Sequence, residues 1–98
     1  NKPSLACLAS RFVYGEKITE EKLEMVGKAE QFLFDCGFKQ VRVRIHDKIA
    51  RIEILPEDFD KLLEKNLREE VTTKFKDYGF TYVTLDLNGY KSGSMNLF

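Results

Sequence analysis

Val41-Arg42-Val43-Arg44-Ile45-His46, followed a few residues later by Arg51-Ile52-Glu53-Ile54, alternates apolar and charged side chains through both stretches. In a β-strand, successive side chains point to opposite faces of the sheet. Val41, Val43, Ile45, Ile52 and Ile54 therefore line a core, while Arg42, Arg44, His46, Arg51 and Glu53 crowd the other face. The pattern predicts strands at 39–46 and 49–55 joined by a turn at Asp47-Lys48. A solvated face is seldom this rich in arginine, so it reads as a prepared anion or partner site.

Before these strands, Thr19 has the chemistry of a helix N-cap, with Glu20 and Glu21 suited to the positive end of the helix dipole. Ile18 and Leu23 are spaced as a hydrophobic staple. Leu23, Val26, Ala29, Leu33 and Cys36 recur at helical spacing, and Gly37 supplies the stop, so a helix is expected over 19–36. After the strands, Pro56 suits a first helical turn, with Glu57 and Asp58 beside it. Phe59, Leu62, Leu63, Leu67, Val71, Phe75 and Tyr78 then form one stripe that Gly79 ends. A third strand is predicted at 80–87, with Val83, Leu85 and Leu87 inward and Tyr82, Thr84 and Asp86 outward.

The order α-β-β-α-β gives an α+β fold. The expectation is a three-stranded antiparallel sheet of order 2-1-3 with two helices on one face. Residues 18–87 form the core, 88–98 a turn-rich tail, and 1–17 a loop too apolar at Ala6–Phe12 to be a free linker. That loop is expected to pack against something outside the sequence. The start at Asn1-Lys2-Pro3-Ser4, without methionine, adds to the expectation of one domain from a longer protein.

Sixteen basic and sixteen acidic residues cancel over 98 residues, so no global field draws the chain to nucleic acid or membrane. Nothing approaches the ~18 apolar residues of a membrane span. The open face offers one aromatic residue, Tyr82, where an RNA-binding sheet needs several, so no nucleic-acid partner is expected. The two cysteines, Cys7 and Cys36, with no secretory leader in view, predict a reducing cytoplasm.

Each candidate site has a plain reading beside the functional one. Arg42 and Arg44 could make cross-strand ion pairs with Glu53, or could bind phosphate, whose oxygens match guanidinium forks. Cys7, near Ser10 and Arg11, is either a small filler or a thiol whose ionisation the guanidinium favours. Cys36 belongs to the apolar stripe. His46 has no second histidine for a zinc site. Glu30 and Glu53 lie among apolar neighbours and are either solvated or paired on a divalent cation. No phosphate loop, nucleotide fingerprint or nucleophile–His–Asp set is present.

Four ordered motifs carry more than periodicity: Ser4-Leu-Ala-Cys-Leu-Ala-Ser-Arg-Phe12 with Tyr14-Gly15, Arg42-Val-Arg44-Ile-His46, Ala50-Arg-Ile-Glu53, and Asp86-Leu-Asn-Gly-Tyr-Lys-Ser-Gly-Ser-Met-Asn96. Together they resemble the C-terminal portion of the ATP-dependent sacrificial sulfur transferases (the LarE family) among the PP-loop ATP pyrophosphatases. The resemblance implies that 1–98 is the single C-terminal domain of a larger enzyme, with 1–17 an interdomain or active-site loop. The partner it implies is an N-terminal ATP-binding domain of the same chain, which holds ATP and Mg2+ and is absent from this sequence. In that family a carboxylate of a pyridinium mononucleotide is adenylated, and a protein cysteine surrenders its sulfur to leave dehydroalanine. Other members use sulfur bound to a cluster.

Carried over by position, Cys7 is the sulfur-donor candidate, Ser10 and Arg11 shape its loop, and Arg42 and Arg44 bind the phosphate of a small-molecule substrate. Glu30 and Glu53 are candidates for a divalent metal. Cys7 stands alone in its segment, so no iron–sulfur cluster is expected from it. The longer protein is expected to be a homo-oligomer, and this chain by itself is not expected to turn over ATP. The rival expectation is a non-catalytic packing or oligomerisation domain whose arginines form structural ion pairs.

Overall fold

Thr19 opens the first helix as its chemistry predicts: its backbone is extended and its hydroxyl oxygen accepts the Lys22 N–H at 3.1 Å. The computed structural model describes residues 8–91. They form α1 (Glu20–Asp35), β1 (Val41–His46), β2 (Ile49–Ile54), a 3-10 turn at Pro56–Asp58, α2 (Phe59–Leu63), α3 (Lys65–Tyr78) and β3 (Tyr82–Leu85). Gly37 ends α1 at φ 101°, where Phe38 N–H reaches the Leu33 carbonyl and Gly37 N–H that of Phe34. A left-handed residue closes the helix carbonyls this way at little steric cost only if it is glycine.

The fold is α+β, as expected, and the apolar faces meet as the alternation dictates. Val26, Ala29 and Leu33 of α1, Phe75 of α3 and Val43, Ile45, Ile52 and Ile54 of the sheet are sealed from solvent in one core. Burying each of these side chains other than the Ala29 methyl contributes about 1.5–3 kcal/mol against its exposed state. Among the described residues, no helix is long and apolar enough to cross a membrane.

The sheet order corrects the expectation. It runs β1-β2-β3, with β1 and β2 antiparallel and β2 and β3 parallel, so β2 is central and the sheet is mixed. The place beside β1 is already taken. Ile45 N–H donates to the Arg11 carbonyl at 3.1 Å, Phe12 bridges Ile45, and Val43 N–H donates to the Glu30 carboxylate at 2.9 Å. With those edge donors satisfied, the chain returning from β2 through the helices adds β3 on the free side of β2. Residues 8–12 are therefore not a detached loop: Leu8 is buried in the core, and the turn that follows lies along the sheet edge.

Two further expectations are corrected. The second apolar stripe is not one helix, because Glu64 takes an extended ψ of 138° and separates α2 from α3. Its carboxylate caps α3, accepting the N–H groups of Asn66 and Leu67. The break turns Leu63 outward. Leu87, expected inside, lies beyond the end of β3 and is 81% exposed.

Candidate functional site

Register assembles the polar face from three strands. Arg42 stands opposite Glu53, Arg44 opposite Arg51, and Arg51 opposite Thr84. All lie on the side of the sheet away from the core. Here a carboxylate is buried among guanidinium groups: Glu53 is only 6% exposed. Its Oε2 accepts from Arg44 Nε and from Arg51 Nη1, each at 3.1 Å. Arg51 Nη1 also donates to Asp86 Oδ2 at 2.6 Å, and its Nε donates to His46 Nε2 at 3.0 Å. Burial lowers the His46 pKa, the Arg51 charge lowers it further, and Glu16 opposes both. For Asp86, burial pushes the pKa up, but the Asn88 N–H and Arg51 outweigh it and the net direction is down.

Arg42 is held differently. Its guanidinium lies 4.4 Å from the centre of the Tyr90 ring, and Nη2 donates to the Tyr90 hydroxyl at 3.2 Å. A cation over an aromatic face is a favourable contact that leaves the charge without a counter-ion. Among the described residues Arg42 makes no ion pair, and its buried Nη1 has no acceptor. Among the described residues Glu53 Oε1 is likewise buried without a donor. Tyr90 is fixed by its own N–H, which donates to the Ile54 carbonyl at 2.7 Å, and by the turn before it. In that turn Gly89 has φ 77°, and a Cβ there would fall 2.9 Å from Pro56 Cγ and 3.0 Å from the Ile54 oxygen.

Arg44 also ties this face to the amino-terminal turn. Its Nη1 donates to the Ser10 carbonyl at 3.1 Å, and the Ser10 hydroxyl accepts from Arg11 Nη1 at 2.8 Å. Arg11 in turn forks onto Glu30, Nε to Oε2 at 2.5 Å and Nη2 to Oε1 at 3.2 Å. A continuous chain of polar contacts thus runs from the Glu30 side of β1 to Asp86 after β3. Cys7, one residue before this segment begins, lies outside the described residues.

The structure does not bring Glu30 and Glu53 to a common partner. Glu30 is fully buried with both oxygens engaged by Arg11 and Val43, whereas Glu53 is engaged by Arg44 and Arg51. A cation at Glu30 would have to displace Arg11, and the Glu53 contacts are to Arg44 and Arg51 rather than to Glu30, so the two as packed do not form a shared metal centre. Among the described residues, no group of three His, Cys, Asp or Glu could hold a metal ion. Cys36 sits half-buried against the core, and burial raises its thiol pKa, with Glu70 adding to the rise.

Sequence reasoning placed Arg42, Arg44 and Glu53 on one face but missed how Tyr90, Arg51, Asp86 and His46 share them out. The signal for Tyr90 was present in Asp86-Leu-Asn-Gly-Tyr90, a tight turn that returns an aromatic residue toward the sheet.

No family model matches the chain. Over 96 residues, 98% of its length, it is 49% identical to an uncharacterized protein of Synechocystis, of which it covers 36%. Over 96 residues it is 42% identical to the pyridinium-3,5-bisthiocarboxylic acid mononucleotide synthase of Lactiplantibacillus plantarum, covering 34% of that protein. It is 38% identical over 90 residues to an uncharacterized protein of Methanocaldococcus jannaschii, again covering 34%. Almost the whole chain is therefore similar to one part of a mononucleotide synthase, and it spans about a third of the length of the curated relatives it matches.

Proposed function

We propose that this chain is the substrate-side domain of an ATP-dependent, adenylating sulfur transferase of the PP-loop type, and that it binds the phosphate of a mononucleotide-like substrate. The observation that carries the reading is the unpaired Arg42 guanidinium, stacked on Tyr90 with a buried Nη1 that has no acceptor among the described residues. A phosphate monoester offers the oxygens that such a group lacks, and charge-assisted contacts of this kind contribute about 1.5–3 kcal/mol. Support also comes from the name of the 42% identical relative, whose product is a mononucleotide bearing thiocarboxylic acid groups.

ATP and Mg2+ belong, in this reading, to the part of the longer protein beyond this chain, which activates a carboxylate as its adenylate. The Ser10–Arg11 turn is bridged to Arg44, and Cys7 precedes that turn in the sequence. The Cys7 thiolate attacks the acyl carbon and expels AMP. Loss of the Cys7 Cα proton then breaks the Cβ–S bond, leaving dehydroalanine on the protein and a thiocarboxylate on the substrate.

Two measurements test the two halves. Titration of the chain with nicotinamide mononucleotide, followed by phosphorus NMR, should show binding that Arg42→Gln weakens about tenfold or more. Equal binding by the variant refutes the phosphate site. Mass spectrometry of the longer protein after one turnover should find Cys7 converted to dehydroalanine. An intact thiol with product formed removes Cys7 as the donor. One observation favours the rival scaffold reading for part of the face: Arg44 and Arg51 already neutralise Glu53 and Asp86.

A further inference from the structure

Arg42 and Glu53 face each other directly across the β1–β2 ladder. Opposed side chains in an antiparallel pair lie about 5 Å apart at Cβ, so opposite charges there ordinarily form an ion pair. Here they do not. Glu53 Oε2 is turned to Arg44 and Arg51, its Oε1 is buried without a donor, and Arg42 Nη1 is buried without an acceptor among the described residues. Two complementary groups are left unsatisfied at neighbouring positions, although each such group is expensive to strand.

Arg51 shares this separation with Arg44, which holds the same Glu53 oxygen at the same 3.1 Å, but Arg51 is the more firmly anchored of the two. It is held at three points, by Asp86 Oδ2 at 2.6 Å, by His46 Nε2 at 3.0 Å and by Glu53 Oε2 at 3.1 Å. A planar guanidinium reaches the three acceptors from two nitrogens set apart in a fixed fork, whereas an ammonium would have to reach them from a single point. We propose that Arg51 is a positioning residue that draws Glu53 away from Arg42 and thereby keeps the Arg42 charge available to an incoming phosphate. Arg51 itself does not touch the ligand. The inference rests on the reading of Arg42 as the phosphate ligand and adds the device that prevents its internal neutralisation.

The test is a double-substitution cycle in the chain, read as affinity for inorganic phosphate by phosphorus NMR at about pH 8, where His46 is neutral. Arg51→Met should release Glu53 to pair with Arg42 and weaken phosphate binding about fivefold, the equivalent of a partly exposed ion pair. Arg51→Lys should weaken it comparably, since it keeps the charge but loses the fork. In a Glu53→Gln background, Arg51→Met should change the affinity by less than about twofold. The inference is overturned by an equal loss in both backgrounds, by full recovery with lysine, or by no loss at all. If Arg51→Met does not fold, Asp86→Asn loosens the same grip and should give the same dependence on Glu53. Arg42→Gln run alongside separates the layers: no effect there sinks the phosphate reading itself, whereas an effect there without one at Arg51 sinks only the positioning role.

Discussion

Replacing Arg11 by methionine should show how firmly the amino-terminal turn is anchored. Arg11 makes two contacts with Glu30, at 2.5 Å and 3.2 Å, and the Glu30 side chain has no solvent exposure. Without the guanidinium, a buried carboxylate retains only the Val43 N–H among the partners described. Removing one member of a buried ion pair costs about 3–5 kcal/mol, because the other is left uncompensated. The Arg11 side chain is 15% exposed, so water can relieve part of this, and the lower end, about 3 kcal/mol, is expected. A domain of this size has about 5–15 kcal/mol of stability in all, so the effect is large. With a urea slope of about 1 kcal/mol per molar, the unfolding midpoint should fall by about 3 M. Arg11→Met combined with Glu30→Met should recover most of the loss, less about 1 kcal/mol for the Val43 N–H that loses its acceptor. A midpoint change below about 1 M for Arg11→Met, or a double variant no more stable than the single one, refutes the strut.

Phe75→Ala removes a ring sealed in the core between Tyr78 and Phe80 and should cost about 3–5 kcal/mol in urea unfolding. Gly89→Ala should destabilise by about 1–3 kcal/mol and weaken phosphate binding with it, since the added Cβ meets Pro56 and the Ile54 carbonyl beneath Tyr90. An alanine variant with unchanged melting and unchanged phosphate affinity contradicts the pinned turn. His46, the single histidine, should titrate by proton NMR below its ordinary 6.5, because burial, and after it the Arg51 charge, favours the neutral ring. The sign follows: this contribution to stability is present above the unfolded pKa and is lost as pH falls through the folded one. A midpoint at or above 6.5 counts against a buried His46 beside Arg51. Glu64→Ala should cost about 1 kcal/mol through loss of the α3 cap.

What the sequence revealed and what it withheld follow from the range of the forces involved. The strands at 41–46 and 49–54 were legible because a period of two is written into neighbouring residues, and α1 because Thr19 and Gly37 punctuate it locally. The neighbour of β3 was not legible. It depended on Arg11 and Glu30 satisfying the β1 edge, contacts between single residues with no periodic trace. The break at Glu64 escaped for a related reason: the apolar stripe runs on through Leu63 and Leu67, and glutamate is an uncommon cap. At the site, alternation gathered Arg42, Arg44 and Glu53 on one face. Which arginine would remain without a counter-ion was decided by Tyr90 and Asp86, whose approach depends on the chain folding back after β3.

The closed β1 border gives the molecule a polarity that bears on how it could associate. Unpaired strand borders are templates for joining further strands, in ordered assembly or in aggregation. On one flank, the Arg11 carbonyl and the Glu30 carboxylate already accept the Ile45 and Val43 N–H groups such growth would use. The opposite flank is the four-residue β3, whose shortness limits how long a foreign ribbon could become there. Strand-by-strand growth is thus directed to one flank, and perturbing the Arg11 strut would open the second.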